Sequence, residues 1–99
     1  MIPKTVASGT ASVIAMQPDP MLVLWGFSMA ESAGTASTAE IIIRHGINVQ
    51  GQELAAPVNF ASDGFGYPTF FPVPIPVPNG VYIQRVSGET TVVLYYDRQ

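Results

Sequence analysis

The chain has no cysteine among its 99 residues. That excludes a disulfide framework and a thiolate metal site, so the fold stands by packing or by assembly. Charge is almost as scarce. Asp, Glu, Lys and Arg make up 11% of the residues, against about 25% in soluble domains at large. The four basic residues, Lys4, Arg44, Arg85 and Arg98, stand singly in a chain of net charge -3. A surface that tracks phosphates needs clustered Lys and Arg, so nucleic acid is excluded as a partner. Long apolar runs are missing too: the longest, MLVLWGF at residues 21–27, is far short of the ~20 residues a helical membrane span requires. The opening MIPKTVASGTASVIAMQPDP lacks a basic start followed by an apolar stretch, so it reads as no secretory leader, and the chain is expected to be made in the cytoplasm and not exported by a leader. No apolar stripe at helical spacing persists for a useful length.

What the chain does have is apolar and β-branched residues. Hydrophobic residues reach 47%, which excludes disorder, because disordered chains pair low hydrophobicity with high charge. So much apolar surface on so small a body, with so little charge, predicts that part of the exterior is covered by other polypeptides. The length predicts one domain, with residues 1–9 as an N-terminal arm or first strand and residues 10–99 as the domain proper.

Short strands separated by turn signals run through the sequence. TASVIAM at residues 10–16 ends at QPDP, a turn. MLVLWGFSMAES at residues 21–32 reads as a long strand bulged at Gly26. A small-residue loop at residues 33–38 precedes AEIIIRHG, whose three isoleucines predict a strand buried on both faces. Residues 48–66 predict one or two strands, with turns at Gly51 and Asp63-Gly64. Residues 81–86 and 90–96, flanking SGE, predict a hairpin. The expected fold is all-β: a single antiparallel β-sandwich or jelly-roll of about seven or eight short strands. An OB-like barrel would have fewer, longer strands and a basic or aromatic binding face.

FFPVPIPVPNG at residues 70–80 sets Pro72, Pro74, Pro76 and Pro78 at every second position. In a strand, period two sends all four imino nitrogens to one side and leaves Phe71, Val73, Ile75 and Val77 to bond a neighbour on the other. The segment therefore predicts an edge strand that refuses further pairing, with those four apolar side chains on one face. Polyproline II is the competing conformation.

Chemistry-bearing patterns are thin. GFSMA at residues 26–30 approaches the G-x-S-x-G elbow, but that motif works at a strand-to-helix turn of an α/β sheet, so Ser28 reads as a strand residue. His45 could join Ser28 and Asp63 or Asp97 only by long-range accident, and beside Arg44 and Gly46 it lacks companion metal ligands. The carboxylates read as solvated charges at strand and loop ends. The expectation is a non-enzyme with no catalytic, metal-binding or cofactor-binding residues. Trp25 reads as a core residue. Trp25, Phe65, Tyr67, Phe70, Tyr82, Tyr95 and Tyr96 could form a sugar-stacking platform, and the cluster at residues 65–71 suits a protein interface as well.

The stretches LVLWGFSMAESAGTASTAEIIIRHG, APVNFASDG and FFPVPIPVPNGVYIQRVSGETTVVLYYDR resemble small β-sandwich structural proteins of tailed-phage virions, above all head decoration or cement proteins. Trp25-Gly26, Arg44 with Gly46, residues 80–82 and residues 92–96 carry the likeness. The resemblance implies a virion protein on the capsid exterior, bound to the major capsid protein and self-associating, with trimers foremost. A tail or neck component is the related alternative, and a carbohydrate-binding or host-adhesion module the unrelated one. The residues expected at the partner interface are Ile2, Pro3 and Val6 of the N-terminal segment, Phe65, Tyr67, Phe70 and Phe71, and Pro72, Pro74 and Pro76 of the proline edge. The first three would clamp a neighbour or else form a first strand.

Overall fold

The computed structural model describes residues 1–31, 38–60 and 68–99, with side chains at 1–30, 39–57 and 68–99. The loop expected at residues 33–38, the Asp63-Gly64 turn, Phe65 and Tyr67 lie wholly or largely outside the described residues. The strands are β1 (Ile2–Gly9), β2 (Val13–Met16), β3 (Leu22–Glu31), β4 (Thr38–His45), β5 (Gln52–Ala55), β6 (Val58–Phe60), β7 (Thr69–Pro76), β8 (Val81–Ser87) and β9 (Thr90–Arg98). They form two antiparallel sheets packed face to face. A front sheet has the order β1-β9-β3-β7; a back sheet has the order β2-β8-β4-β5, with β6 also on β4. The fold is an antiparallel β-sandwich, as expected. Its nine described strands exceed the expected number because residues 2–9 pair with β9, and because Pro57, which has no N–H to donate, separates β5 from β6.

Alternation builds the core. Leu22, Leu24, Phe27 and Met29 of β3, with Val92 and Leu94 of β9, face Ile41 and Ile43 of β4 and Val81 and Ile83 of β8. Leu24, Ile41, Ile43, Ile83 and Leu94 are fully buried, and each aliphatic side chain withdrawn from water in this way stabilises the fold by about 1.5–3 kcal/mol.

Three expectations are corrected here. Residues 81–86 and 90–96 do not pair with each other: β8 bonds β2 and β4, whereas β9 bonds β1 and β3. The SGE connection is an arch from one sheet to the other, with Gly88 at φ 74° making the turn. In β4, Ile41 and Ile43 enter the core while Ile42 is only half-buried on the outer face, because the back sheet has a single covered face. Just after β7, Val77 is buried and donates its N–H to the Leu22 carbonyl at 2.9 Å. Phe71 and Ile75 pack against the core, but Val73 is 68% exposed. Ile75 stands opposite Leu24 and Phe70 opposite Gly26, so residues 71–74 face Trp25 alone and the strand loses its alternation there.

The edge reading of the proline segment holds. Among the described residues β7 ends the front sheet and pairs only with β3. Val77 bonds inward, so Pro76 beside it turns its donor-less nitrogen to the open side.

Candidate functional site: the outer face of the front sheet

A bulge in β3 lies in this face. The register slips between Leu24 and Gly26 against both neighbours: against β9 Trp25 is the extra residue, whereas against β7 the extra residues belong to β7. Leu22 and Leu24 face the core, so alternation sends Trp25 outward. Trp25 is therefore not a core residue, contrary to expectation. Its indole N–H reaches 2.9 Å to the Asp97 carboxylate, an acceptor that the outward alternation of β9 supplies.

Gly26 is required beside it. A Cβ there would strike the Thr69 carbonyl oxygen and lie 2.9 Å from the Phe70 Cα. The missing side chain lets β7 come close enough for the Phe70 ring to lean on Tyr95, with centroids 5.3 Å apart and planes tilted by 49°. Ser28 and the Tyr95 hydroxyl are 3.5 Å apart.

By register, Pro3 and Thr5 of β1 stand beside Tyr95 and Val93 of β9, which in turn stand beside Gly26 and Ser28 of β3. Trp25, Val93 and Tyr95 are half-buried and Phe70 is 49% exposed. Across this face Asp97 is the one charged side chain among the described residues; it accepts the Trp25 indole N–H and pairs with the N-terminal ammonium of Met1 at 3.3 Å. The outer face of the back sheet differs: Glu40, Arg44 and Glu53 lie there, with Arg44 bonded to Gln84 at 3.0 Å and to the Gly51 carbonyl at 2.9 Å.

The residues singled out from sequence are dispersed by the fold. Pro3, Phe70 and Pro76 lie on or beside the aromatic face. Ile2 is 46% exposed, on the inward side of β1 opposite Tyr96. Val6 is buried in the core. Phe71 is half-buried against Phe27, with ring centroids 6.1 Å apart, while Pro72 is exposed and Pro74 half-buried along the bulged part of β7. Sequence reasoning missed Val93 as a face residue and named Tyr95 only among seven aromatics for a sugar-stacking platform. The strict alternation of β9 puts them together, but only the sheet order shows which side is open.

Ser28, Asp97 and His45 do not meet. The first two are on the front sheet, whereas His45 ends β4 in the back sheet and accepts the Asn79 N–H on Nε2 at 3.3 Å. Among the described residues no group of three His, Asp or Glu side chains is placed to hold a metal.

At one end of the sandwich, Asp19 fixes the QPDP turn. Its carboxylate accepts the Met21 N–H at 3.0 Å and pairs with Arg98 at 2.6 Å. These contacts, the Met21 hydrogen bond foremost and then Arg98, hold the Asp19 carboxyl below its ordinary range. A carboxyl depressed in the folded state stabilises the fold above its unfolded pKa of about 4 and loses that contribution as pH falls through the lower folded value. The melting temperature of Asp19→Asn should accordingly lie below that of the native protein at neutral pH, with the gap closing in strong acid. A gap constant down to acid pH would remove the carboxylate from the account. Compared with family models, curated proteins and solved structures, the chain matches none.

Proposed function

We propose that this chain is a non-enzymatic structural protein that docks the outer face of its front sheet on a folded partner. We propose further that the partner is the major capsid protein of a tailed-phage head, which the chain decorates on the outside and stabilises. The observation that carries the docking reading is the aromatic surface of Trp25, Phe70 and Tyr95, whose one neighbouring charged side chain among the described residues, Asp97, is already engaged by the indole N–H and the Met1 ammonium. Interface centres are depleted of charge and enriched in aromatics in this way. The phage assignment rests on the sequence resemblance alone. A ligand that binds only the assembled shell shifts the balance toward it, and cyclic self-association, trimers first, would hide the same patch at each contact.

Co-sedimentation with undecorated capsids tests the proposal. Native protein should pellet with the shells, and Phe70→Asp should bind at least ~30-fold more weakly, the loss typical of a central interface residue, at a nearly unchanged melting temperature. A second reading, glycan binding, is favoured by Ser28 and Asp97 lying among the rings. The 49° tilt of Phe70 against Tyr95 offers no common plane for a sugar. Glycan binding abolished by Trp25→Ala, without capsid binding, would replace the first reading by the second.

A further inference from the structure

We infer that the free edge of β1, with the groove it shares with β2, accepts an extended peptide strand that carries an acidic residue between apolar ones. The edges of the sandwich are unequal. β7 is closed by its prolines, β2 and β5 have four residues each, and β6 has three, whereas β1 has eight residues with no strand on its outer side among the described residues. Pro3 takes one donor from its start and Arg85 holds the Ala7 carbonyl at 2.6 Å, so the open stretch runs from Lys4 to Val6.

Beside this edge the two sheets part in a groove of about 630 Å³, floored by Ala15, Met16, Leu22 and Tyr96 and flanked by Ile14. Ile2 and Ile14 are 46% and 39% exposed. Lys4 stands opposite Leu94, a fully buried residue, so its side chain takes the inward side of β1 and lines the groove. Arg98, at the groove's end, is neutralised by Asp19 at 2.6 Å. Lys4 has no ion pair among the described residues. In a chain of net charge -3, this groove holds an uncompensated cation.

A strand added to β1 would use its free N–H and C=O groups and send alternate side chains into the groove. Apolar residues would cover Ile2 and Ile14, and a Glu or Asp would meet the Lys4 ammonium. A strand with Lys or Arg there is repelled, as is a second β1 aligned Lys4 on Lys4. The one charge thus both selects the partner and rejects copies of itself.

The test titrates the isotope-labelled full chain with the blocked peptide acetyl-TVTETVTG-amide, whose glutamate shares one strand face with the two valines, and with its counterpart carrying lysine for glutamate. The glutamate peptide should shift the amide resonances of residues 2–9 and bind about tenfold more tightly than the lysine peptide. Lys4→Glu, an exposed substitution that leaves the melting temperature unchanged, should invert the preference. Phe70→Asp should bind the peptide as the native chain does, which separates this edge from the docking face. The inference is overturned if neither peptide shifts residues 2–9 at millimolar concentration, if the shifts fall on Trp25 and Phe70 instead, or if Lys4→Glu leaves the preference as it was.

Discussion

Replacing Arg85 with methionine lowers the unfolding free energy by about 3 kcal/mol, a large share of what a domain of this size possesses. The guanidinium donates to the Ala7 carbonyl at 2.6 Å, the Ala11 carbonyl at 2.8 Å, and the Thr90 carbonyl and hydroxyl at 3.1 Å each. Those partners belong to β1, to the crossing from β1 to β2, and to the first residue of β9. One side chain on β8 therefore ties both sheets at the end where the chain twice passes between them. Burial pulls its pKa down, yet a guanidinium remains charged at any physiological pH. Methionine keeps the apolar stem, and the exposed Ala7 and Ala11 carbonyls turn to water, but Thr90 is fully buried and its carbonyl and hydroxyl are left without the guanidinium. Lysine, with fewer donors and no planar fork, should recover only part of the loss. Urea denaturation reads these values, and a change below about 1 kcal/mol would show that the crossings hold without the clamp.

Gly26→Ala should cost about 2–4 kcal/mol, by overpacking against backbone rather than by any loss of contact. The new methyl meets the Thr69 carbonyl oxygen and the Phe70 Cα, neither of which can rotate away. β7 must lift from β3 there, and with it Phe70 leaves Tyr95. The variant should unfold at lower urea with an altered tryptophan spectrum, since Trp25 shares the bulge, and it should bind the partner weakly even where it remains folded. Native stability with a native spectrum would mean that the strands approach less closely than the bulge implies.

Much of this architecture is legible in the chain. The strand-forming runs, the QPDP turn, the bulge at Gly26 and the edge position of the proline segment all follow from local chemistry: branched residues at alternate positions, proline without a donor, glycine where backbones close in. The connection at SGE was not legible, for a physical reason. Val81 and Ile83 on β8, and Val92 and Leu94 on β9, are all fully buried. That alternation is the same whether two strands lie side by side in one sheet or face each other across the core. The difference is made by Arg85, whose bonds to Thr90 brace the arch, and a lone arginine in a sequence does not announce its partners.

The docking face was hidden for a related reason. Trp25 reads as a core residue until Leu22 and Leu24 are seen to face inward and set it outward, the bulge then returning Phe27 to the core. Val93 and Tyr95 could lie on either side until β1, β9, β3 and β7 are set in order. Val73 shows the limit of period two: four consecutive residues opposite one cannot alternate in register with it.

Hydroxyl-radical labelling of the protein, free and bound to undecorated capsids, bears most directly on the central claim. Trp25, Phe70 and Tyr95 should lose most of their labelling on binding while Tyr82, on the back sheet, keeps its own. Unchanged labelling of those rings in the bound state, or protection confined to Tyr82, would contradict it.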